Sequence, residues 1–140
     1  MLIKNNKITF LVLLFIFSSF NQNLLAEEFN IIADEINIDK ENEILIGKGS
    51  VKAIDSEGKV ISADKITYKK DQEFLLAEGN VLLKDIEGNI IKTNKITYDK
   101  LNEIITTYQI TELELNEGYK LESESIFYDT EKKILSSNEK

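Results

Sequence analysis

The chain has 140 residues, which suits one domain with a hydrophobic core and is short for two. Its 17 lysines and 25 acidic residues leave a formal charge of -8, which argues against a nucleic-acid partner because such a partner requires a basic face. The sequence has no histidine, cysteine or arginine, so disulfides are excluded and most catalytic mechanisms lack a residue to carry them. We therefore expect no enzyme and no cofactor.

The first 26 residues have the pattern of a secretion signal peptide. Lys4 and Lys7 precede an apolar run over residues 8–17, and the segment ends in Leu24-Leu25-Ala26. Cleavage after Ala26 would leave a mature domain of residues 27–140. Because Leu24 is larger than the small residue preferred at that position, an uncleaved membrane anchor stays open as the alternative. The apolar run is short for a membrane-spanning helix, which favours export.

The rest of the chain repeats itself every 30 residues without a gap. Residues 49–78 and 79–108 share twelve identities. Such self-similarity at a fixed period indicates stacked structural units. Part of a further unit precedes residue 49. The positions that coincide include Gly58/Gly88/Gly118, Ile66/Ile96/Ile126 and Tyr68/Tyr98/Tyr128.

Within each unit the apolar residues alternate with polar ones, which is typical of half-buried β-strands. Gly58, Gly88 and Gly118 each follow a glutamate and predict hairpin turns. We therefore predict that each unit forms two hairpins with four strands of roughly five residues. Stacking would superpose apolar positions into a continuous interior. The expected rows are Ile66/Ile96/Ile126, Ile61/Ile91/Leu121, Leu45/Leu75/Ile105/Leu135 and Ile44/Phe74/Ile104/Ile134.

Few polar residues suggest a chemical site. The repeated Asp55-x-Glu57-Gly58 and Asp85-x-Glu87-Gly88 could hold calcium, but a calcium loop needs more ligands, so acidic residues solvating a tight turn are the favoured interpretation. Tyr68, Tyr98 and Tyr128 fit core aromatics better than a stacking platform for sugars or bases, since they alternate in phase with isoleucines. The lysines at positions 52, 65, 84, 92 and 95 fit an ordinary solvated face.

One motif resembles a known family. The run Ala63-Asp64-Lys65-Ile66-Thr67-Tyr68 is followed by Ala77-Glu78-Gly79-Asn80-Val81 and a glycine turn. This motif, which recurs at the 30-residue period over residues 29–135, is similar to the OstA-like (LptA-type) domain of the lipopolysaccharide transport proteins. Residues 93–98 are a looser copy of its first part.

The resemblance implies an all-β fold, a twisted β-jellyroll of stacked 30-residue repeats, in the bacterial periplasm. Its two sheets would form an apolar groove for the acyl chains of lipid A, with no enzymatic activity. An acidic protein handling an anionic glycolipid would bind it through apolar burial. The residues expected to line the groove are Ile36, Ile38, Val51, Ile61, Ile66, Tyr68, Val81, Leu83, Ile91, Ile96 and Tyr98.

The resemblance also implies partners. Family members join head to tail through open strand edges, so we expect a homo-oligomer and contacts with other OstA-like domains. The sequence leaves open whether the chain is the soluble bridge, the anchored adaptor, or the front of the outer-membrane LptD translocon. Residues 136–140 carry no polar cap, so a longer chain is also open. The competing interpretation is a structural β-solenoid or adhesin-like segment without a lipid ligand.

Overall fold

The structure is a computed structural model that describes residues 29–137, so the expected signal peptide lies outside the described residues. Eleven strands form one antiparallel sheet that does not close on itself. A single 3-10 turn, Lys70–Gln72, is the helical element of residues 29–137. The strands are β1 (Asn30–Ile32), β2 (Glu35–Asp39), β3 (Ile44–Ile54), β4 (Val60–Lys69), β5 (Phe74–Lys84), β6 (Ile90–Asp99), β7 (Ile104–Tyr108), β8 (Thr111–Glu114), β9 (Lys120–Ser123), β10 (Ile126–Asp129) and β11 (Ile134–Ser137).

Strands β3 to β6 are long and follow one another as hairpins. Residues 44–99 therefore contain two strands of ten or eleven residues per repeat, so the expected four short strands are wrong there, whereas the last repeat has short strands of four or five residues as expected. The reason is that the pairing register shifts at the middle of each long strand, which divides one continuous strand into two segments. Neighbouring strands are antiparallel throughout, unlike the parallel rungs of a β-helix.

The family-like motif builds the bend at the middle of the strand. Gly79 has φ of +79° and Asn80 has φ of +46°, a conformation that inserts an extra residue into the ladder. Asp64 on the neighbouring strand packs against Gly79, where a Cβ would overlap its carboxylate and approach its Cγ to 3.0 Å. Asn80 Nδ2 donates to Asp64 Oδ2 at 2.8 Å. Position 79 therefore requires glycine for two reasons: its φ is positive, and Asp64 leaves no space for a Cβ.

The bends divide the sheet into two halves. Half A contains β2, β7, β10, β11 and the segments of the long strands at residues 44–48, 65–69, 74–78 and 95–99. Half B contains β1, β8, β9 and the segments at residues 51–54, 60–63, 81–84 and 90–93. The inner faces of the two halves meet in one hydrophobic core, so the expected all-β jellyroll of stacked repeats is confirmed.

Both sets of hairpin turns repeat with the sequence. In half A, residues 43, 73, 103 and 133 all have positive φ, and each turn is hydrogen-bonded to the next. The backbone N–H groups of Lys70, Lys100 and Thr130 donate to the carbonyls of Glu43, Glu73 and Glu103 at 2.9 to 3.0 Å. In half B, Asp55 Oδ1 accepts the backbone N–H groups of Glu57 and Lys59, and Asp85 does the same one repeat later.

These contacts correct two expectations. Asp55 and Asp85 are buried and hold their own turns together, whereas the sequence suggested carboxylates in water. The row Ile44/Phe74/Ile104/Ile134 lies on the outer face, because these residues pair with Lys69, Asp99 and Asp129. The period of 30 superposes equivalent residues but does not say which face they occupy.

Candidate functional site

The interior between the halves is the candidate binding site. Its rows run across successive strands, so that Ile66, Ala77 and Ile96 are neighbours and the repeat-equivalent Ile66 and Ile96 lie two strands apart. Half B contributes the parallel row Ala53, Ile61, Leu83, Ile91, Leu113 and Leu121. Phe29, beside β1, makes edge-to-face contacts with Tyr68 and Tyr98 of half A, with ring centroids 5.2 and 5.8 Å apart.

Nine of the eleven predicted lining residues are buried in this interior. They are Val51, Ile61, Ile66, Tyr68, Val81, Leu83, Ile91, Ile96 and Tyr98. Ile61, Ile66, Ile96 and Tyr98 have no exposed surface, because side chains of the opposite half fill the space around them. An acyl chain could reach these four only if the two halves move apart. Their role in lipid binding stays a prediction.

Ile36 and Ile38 are exposed, contrary to the expectation of a buried lining. Their Cα partners are Gly47 and Leu45, so both side chains are on the inner face of the sheet. They are nevertheless 44% and 58% exposed, and β2 is an edge strand that pairs only with β3. Ile38, Phe29, Leu45 and Tyr68 line a cavity of about 310 Å³ at this edge.

A second cavity of about 340 Å³ lies between the halves near the other edge of the sheet. Half B contributes Leu83, Ile91, Leu113 and Leu121, and half A contributes Tyr128 and Leu135. This volume is within the range of small-ligand sites. The cavity therefore offers an apolar space between the two halves. The exposed Glu87, Glu117 and Lys133 lie at its mouth, and the buried Asp85 also lines it.

A larger cavity, of about 540 Å³, lies along the bend on the outer side of β5, β6 and β8. Six of its nine lining residues are polar or charged, among them Asn80, Lys92, Asn94, Gln109 and Glu112. Such a surface suits water better than an acyl chain, because apolar groups gain little by leaving water for a polar surface. The smaller cavity between the halves is therefore the better candidate for an apolar ligand.

A buried charged network joins the hairpin turns of the two halves. We call the line where these turns meet the seam. On the half-B side, Asp55 and Lys59 have side chains that are 1% and 6% exposed. On the half-A side, Lys100 is 2% exposed and Glu103 is 19% exposed. Burial of this kind is rare for charged residues unless they are paired.

Contacts in this network cross the seam repeatedly. Lys59 Nζ lies 3.2 Å from Glu103 Oε2, and Lys100 Nζ lies 3.5 Å from Glu57 Oε1. Glu103 also accepts hydrogen bonds from the Tyr98 hydroxyl at 2.7 Å and the Thr130 hydroxyl at 2.6 Å. Lys59 also pairs with Glu57, and Lys100 with Glu103. Each buried charge thus has opposite charges or donors around it.

Electrostatics follow from these contacts. Burial alone would raise the pKa of Glu103, but hydrogen bonds from Lys100, Thr130 and Tyr98 stabilise the carboxylate and lower its pKa to about 2. Burial alone would lower the pKa of Lys59, because it disfavours the charged form. The hydrogen bond to Glu57 and the nearby carboxylates of Asp55 and Glu103 outweigh burial and raise this pKa. Burial and the adjacent Glu103 raise the pKa of the Tyr98 hydroxyl, which keeps it a donor. Glu103 and Lys59 are therefore both charged at neutral pH.

Sequence reasoning missed this network. Lys59 and Lys100 were indistinguishable from surface lysines, because only the folded sheet brings residues about 40 positions apart together. The lysines expected on a solvated face are confirmed there, and Lys65 and Lys95 flank Glu78 at 3.6 and 3.5 Å. The sequence does contain one related signal. A lysine or asparagine follows each of the first two turn glycines, and an aspartate lies four positions before that lysine or asparagine, as in Asp55 and Lys59.

Residues 29–137 lack two kinds of feature. No cluster of three or more potential metal ligands occurs among these residues. No helix in this range has the length and apolar character needed to span a membrane.

Comparison with known proteins supplies the fold. No family model matches the chain, and no curated protein sequence matches it significantly. Seventeen chains of solved structures match significantly. One is the crystal structure of LptH from Pseudomonas aeruginosa, described as the LptA-homologous periplasmic component of the conserved lipopolysaccharide transport device. The match has a TM-score of 0.72 at 16% identity and covers 81% of this chain and 84% of LptH. The chain therefore has the OstA-like, LptA-type β-jellyroll fold.

Proposed function

We propose that this chain is a non-enzymatic periplasmic domain that binds lipopolysaccharide and passes it from the inner to the outer membrane. The observation that carries the proposal is the cavity between the two halves, which seven apolar side chains line and charged residues surround at the mouth. Acyl chains of lipid A would leave water for this cavity while the sugars stay outside. The fold that the chain shares with LptH supports the same ligand class.

The binding step needs more space than the cavity provides at rest. Lipid A carries several acyl chains, whereas the cavity between Leu113 and Leu135 holds about 340 Å³. We therefore expect the halves to separate as lipid enters, which would extend the cavity from Ile91 toward Ile96. The burial of these residues in the lipid-free chain would then be exchanged for contacts with acyl chains, so little apolar surface need become exposed.

Transfer between membranes also requires that several domains join into a continuous path. β1 and β2 form one edge of the sheet, and β9 and β11 form the other. Unpaired edges accept further strands, so copies of this chain or other OstA-like domains would join head to tail. Such a contact is heterologous and open-ended, which predicts an oligomer that grows with concentration. Sedimentation velocity across a concentration series would measure this growth, and a strict monomer at the highest concentration would contradict it.

Site-specific photo-crosslinking tests the binding proposal. Leu121 lies on the inner face at the cavity, is 48% exposed, and tolerates a bulky side chain. Its neighbour Glu122 is also exposed but lies on the outer face, opposite Glu112. A photoreactive residue at 121 should label lipopolysaccharide strongly, and one at 122 should label it weakly. Equal labelling would contradict a lipid site between the halves and would favour a structural repeat without a lipid ligand.

A further inference from the structure

The seam differs between the first and the second repeat. At the first repeat, Lys59 and Lys100 bring two buried cations to Asp55, Glu57 and Glu103. The equivalent positions thirty residues later are Asn89 and Thr130. Both cations have thus been replaced by neutral side chains.

The neutral residues do not bridge the halves. Asn89 Nδ2 donates to Asp85 Oδ2 at 2.7 Å, which satisfies the aspartate within its own turn. The Thr130 hydroxyl donates to Glu103, in the preceding turn of the same half. In residues 29–137, the ion pair that crosses the seam at the second repeat joins Glu87 to Lys133.

The Glu87–Lys133 pair is exposed, unlike the network at the first repeat. Its side chains are 39% and 65% exposed, against 6% for Lys59 and 2% for Lys100. Exposed pairs contribute little to stability and are weakened by salt, whereas a buried, hydrogen-bonded network of charges is screened much less. Separation of the halves is therefore easier at the second repeat than at the first.

The same pair stands at the mouth of the apolar cavity. Glu87 and Lys133 both line it, together with Leu83, Leu113 and Leu135. Tyr128 takes the place of Tyr98 there, and it is half-buried where Tyr98 is fully buried. The weak point of the seam and the apolar space below it thus coincide.

We infer that the Glu87–Lys133 pair is a gate through which acyl chains enter sideways between the halves, while the Lys59–Lys100 network is a fixed clasp. This inference rests on the proposed function and adds the place and the direction of entry. Lipid would enter through the side of the sheet at the second repeat, and the first repeat would stay closed.

A thiol crosslink tests the gate, because the chain has no cysteine of its own. In E87C/K133C a short bismaleimide joins the two halves across the seam. In the matched control E112C/E122C the same reagent joins β8 to β9 within half B, since these exposed residues are Cα partners on the outer face. Purified fluorescent lipopolysaccharide is the probe, and its association rate is measured by anisotropy before and after linking.

Linking positions 87 and 133 should slow association at least tenfold, while linking 112 and 122 should leave the rate within twofold. A monofunctional maleimide on E87C/K133C should not slow it, because it leaves the halves free to separate. An unchanged rate after the 87–133 link, or equal slowing by both links, would overturn the gate and leave lipid binding intact. Failure of the unmodified chain to bind lipopolysaccharide would overturn the proposed function itself.

Discussion

Lys59 Nζ lies 3.2 Å from Glu103 Oε2, and this contact joins residues 44 positions apart on opposite halves of the folded sheet. Lys59→Met would leave Asp55 and Glu103 without this cation in a buried site. We expect a loss of about 3 kcal/mol in the free energy of unfolding. Lys133→Met, which removes the exposed pair with Glu87, should cost much less. Urea unfolding followed by circular dichroism measures both losses, and equal losses would contradict a clasp at the first repeat.

Acid should weaken the clasp through Glu103. Burial opposes ionisation of Glu103, but hydrogen bonds from Lys100, Thr130 and Tyr98 lower its pKa from 4.5 to about 2 in the folded chain. The folded state therefore binds this proton less readily than the unfolded state. The resulting stabilisation is complete above pH 4.5 and is lost as the pH falls toward 2.

Glu103→Gln removes that titration. The variant should be less stable than the native chain at neutral pH, and the difference should shrink between pH 4.5 and pH 2. Glu41→Gln, at an exposed turn position, serves as the control and should follow the native pH profile. Urea midpoints at a series of pH values measure the profiles. A constant difference between Glu103→Gln and the native chain over this range would refute the assignment.

The bend at the middle of the long strands depends on Gly79. A Cβ at this position would overlap the Asp64 carboxylate, and φ is +79°. Gly79→Ala should therefore cost about 2 kcal/mol or more, from backbone strain and the clash together. Gly118→Ala has φ of +93° but nothing within 4 Å of the added carbon, so it should cost only the backbone part.

Asp64→Ala in the Gly79→Ala background separates the two contributions. If the clash matters, the double variant should lose less stability than the sum of the single variants, because the added methyl group then has space. Thermal melts of the four chains give this coupling. Strict additivity would mean that Asp64 does not press on residue 79.

Much of the fold follows from local signals in the sequence. Turn glycines at 58, 88 and 118 and the alternation around Ile66 and Ile96 predict strands that pack one face inward, and the structure has them. The residues Gly79 and Asn80 were recognised as part of a motif, but a motif does not reveal that it bends a strand. The bend appears only when Asp64 of the next strand is placed beside Gly79.

The site was less predictable for two physical reasons. Burial of a strand residue depends on whether another layer covers it, so Ile36 and Ile38 face inward and remain exposed at the edge. Pairing of charges across the seam depends on the folded sheet, so the sequence did not show that Lys59 and Lys100 pair with residues of the opposite half. Alternation identifies a face, and only the tertiary structure says what lies against it.

Native mass spectrometry tests the central claim most directly. The chain, exported by cells that make lipopolysaccharide and purified without denaturant, should carry lipopolysaccharide in stoichiometric amount. Leu113→Asp and Glu112→Lys form a matched pair, because Leu113 lines the cavity and Glu112 faces outward beside it. With folding verified by circular dichroism, Leu113→Asp should carry at most about a tenth as much lipid, since an unpaired carboxylate in an apolar site costs several kcal/mol. Glu112→Lys should carry as much as the native chain. A native chain that carries no lipopolysaccharide, or equal loading of both folded variants, would contradict a lipid-binding interior.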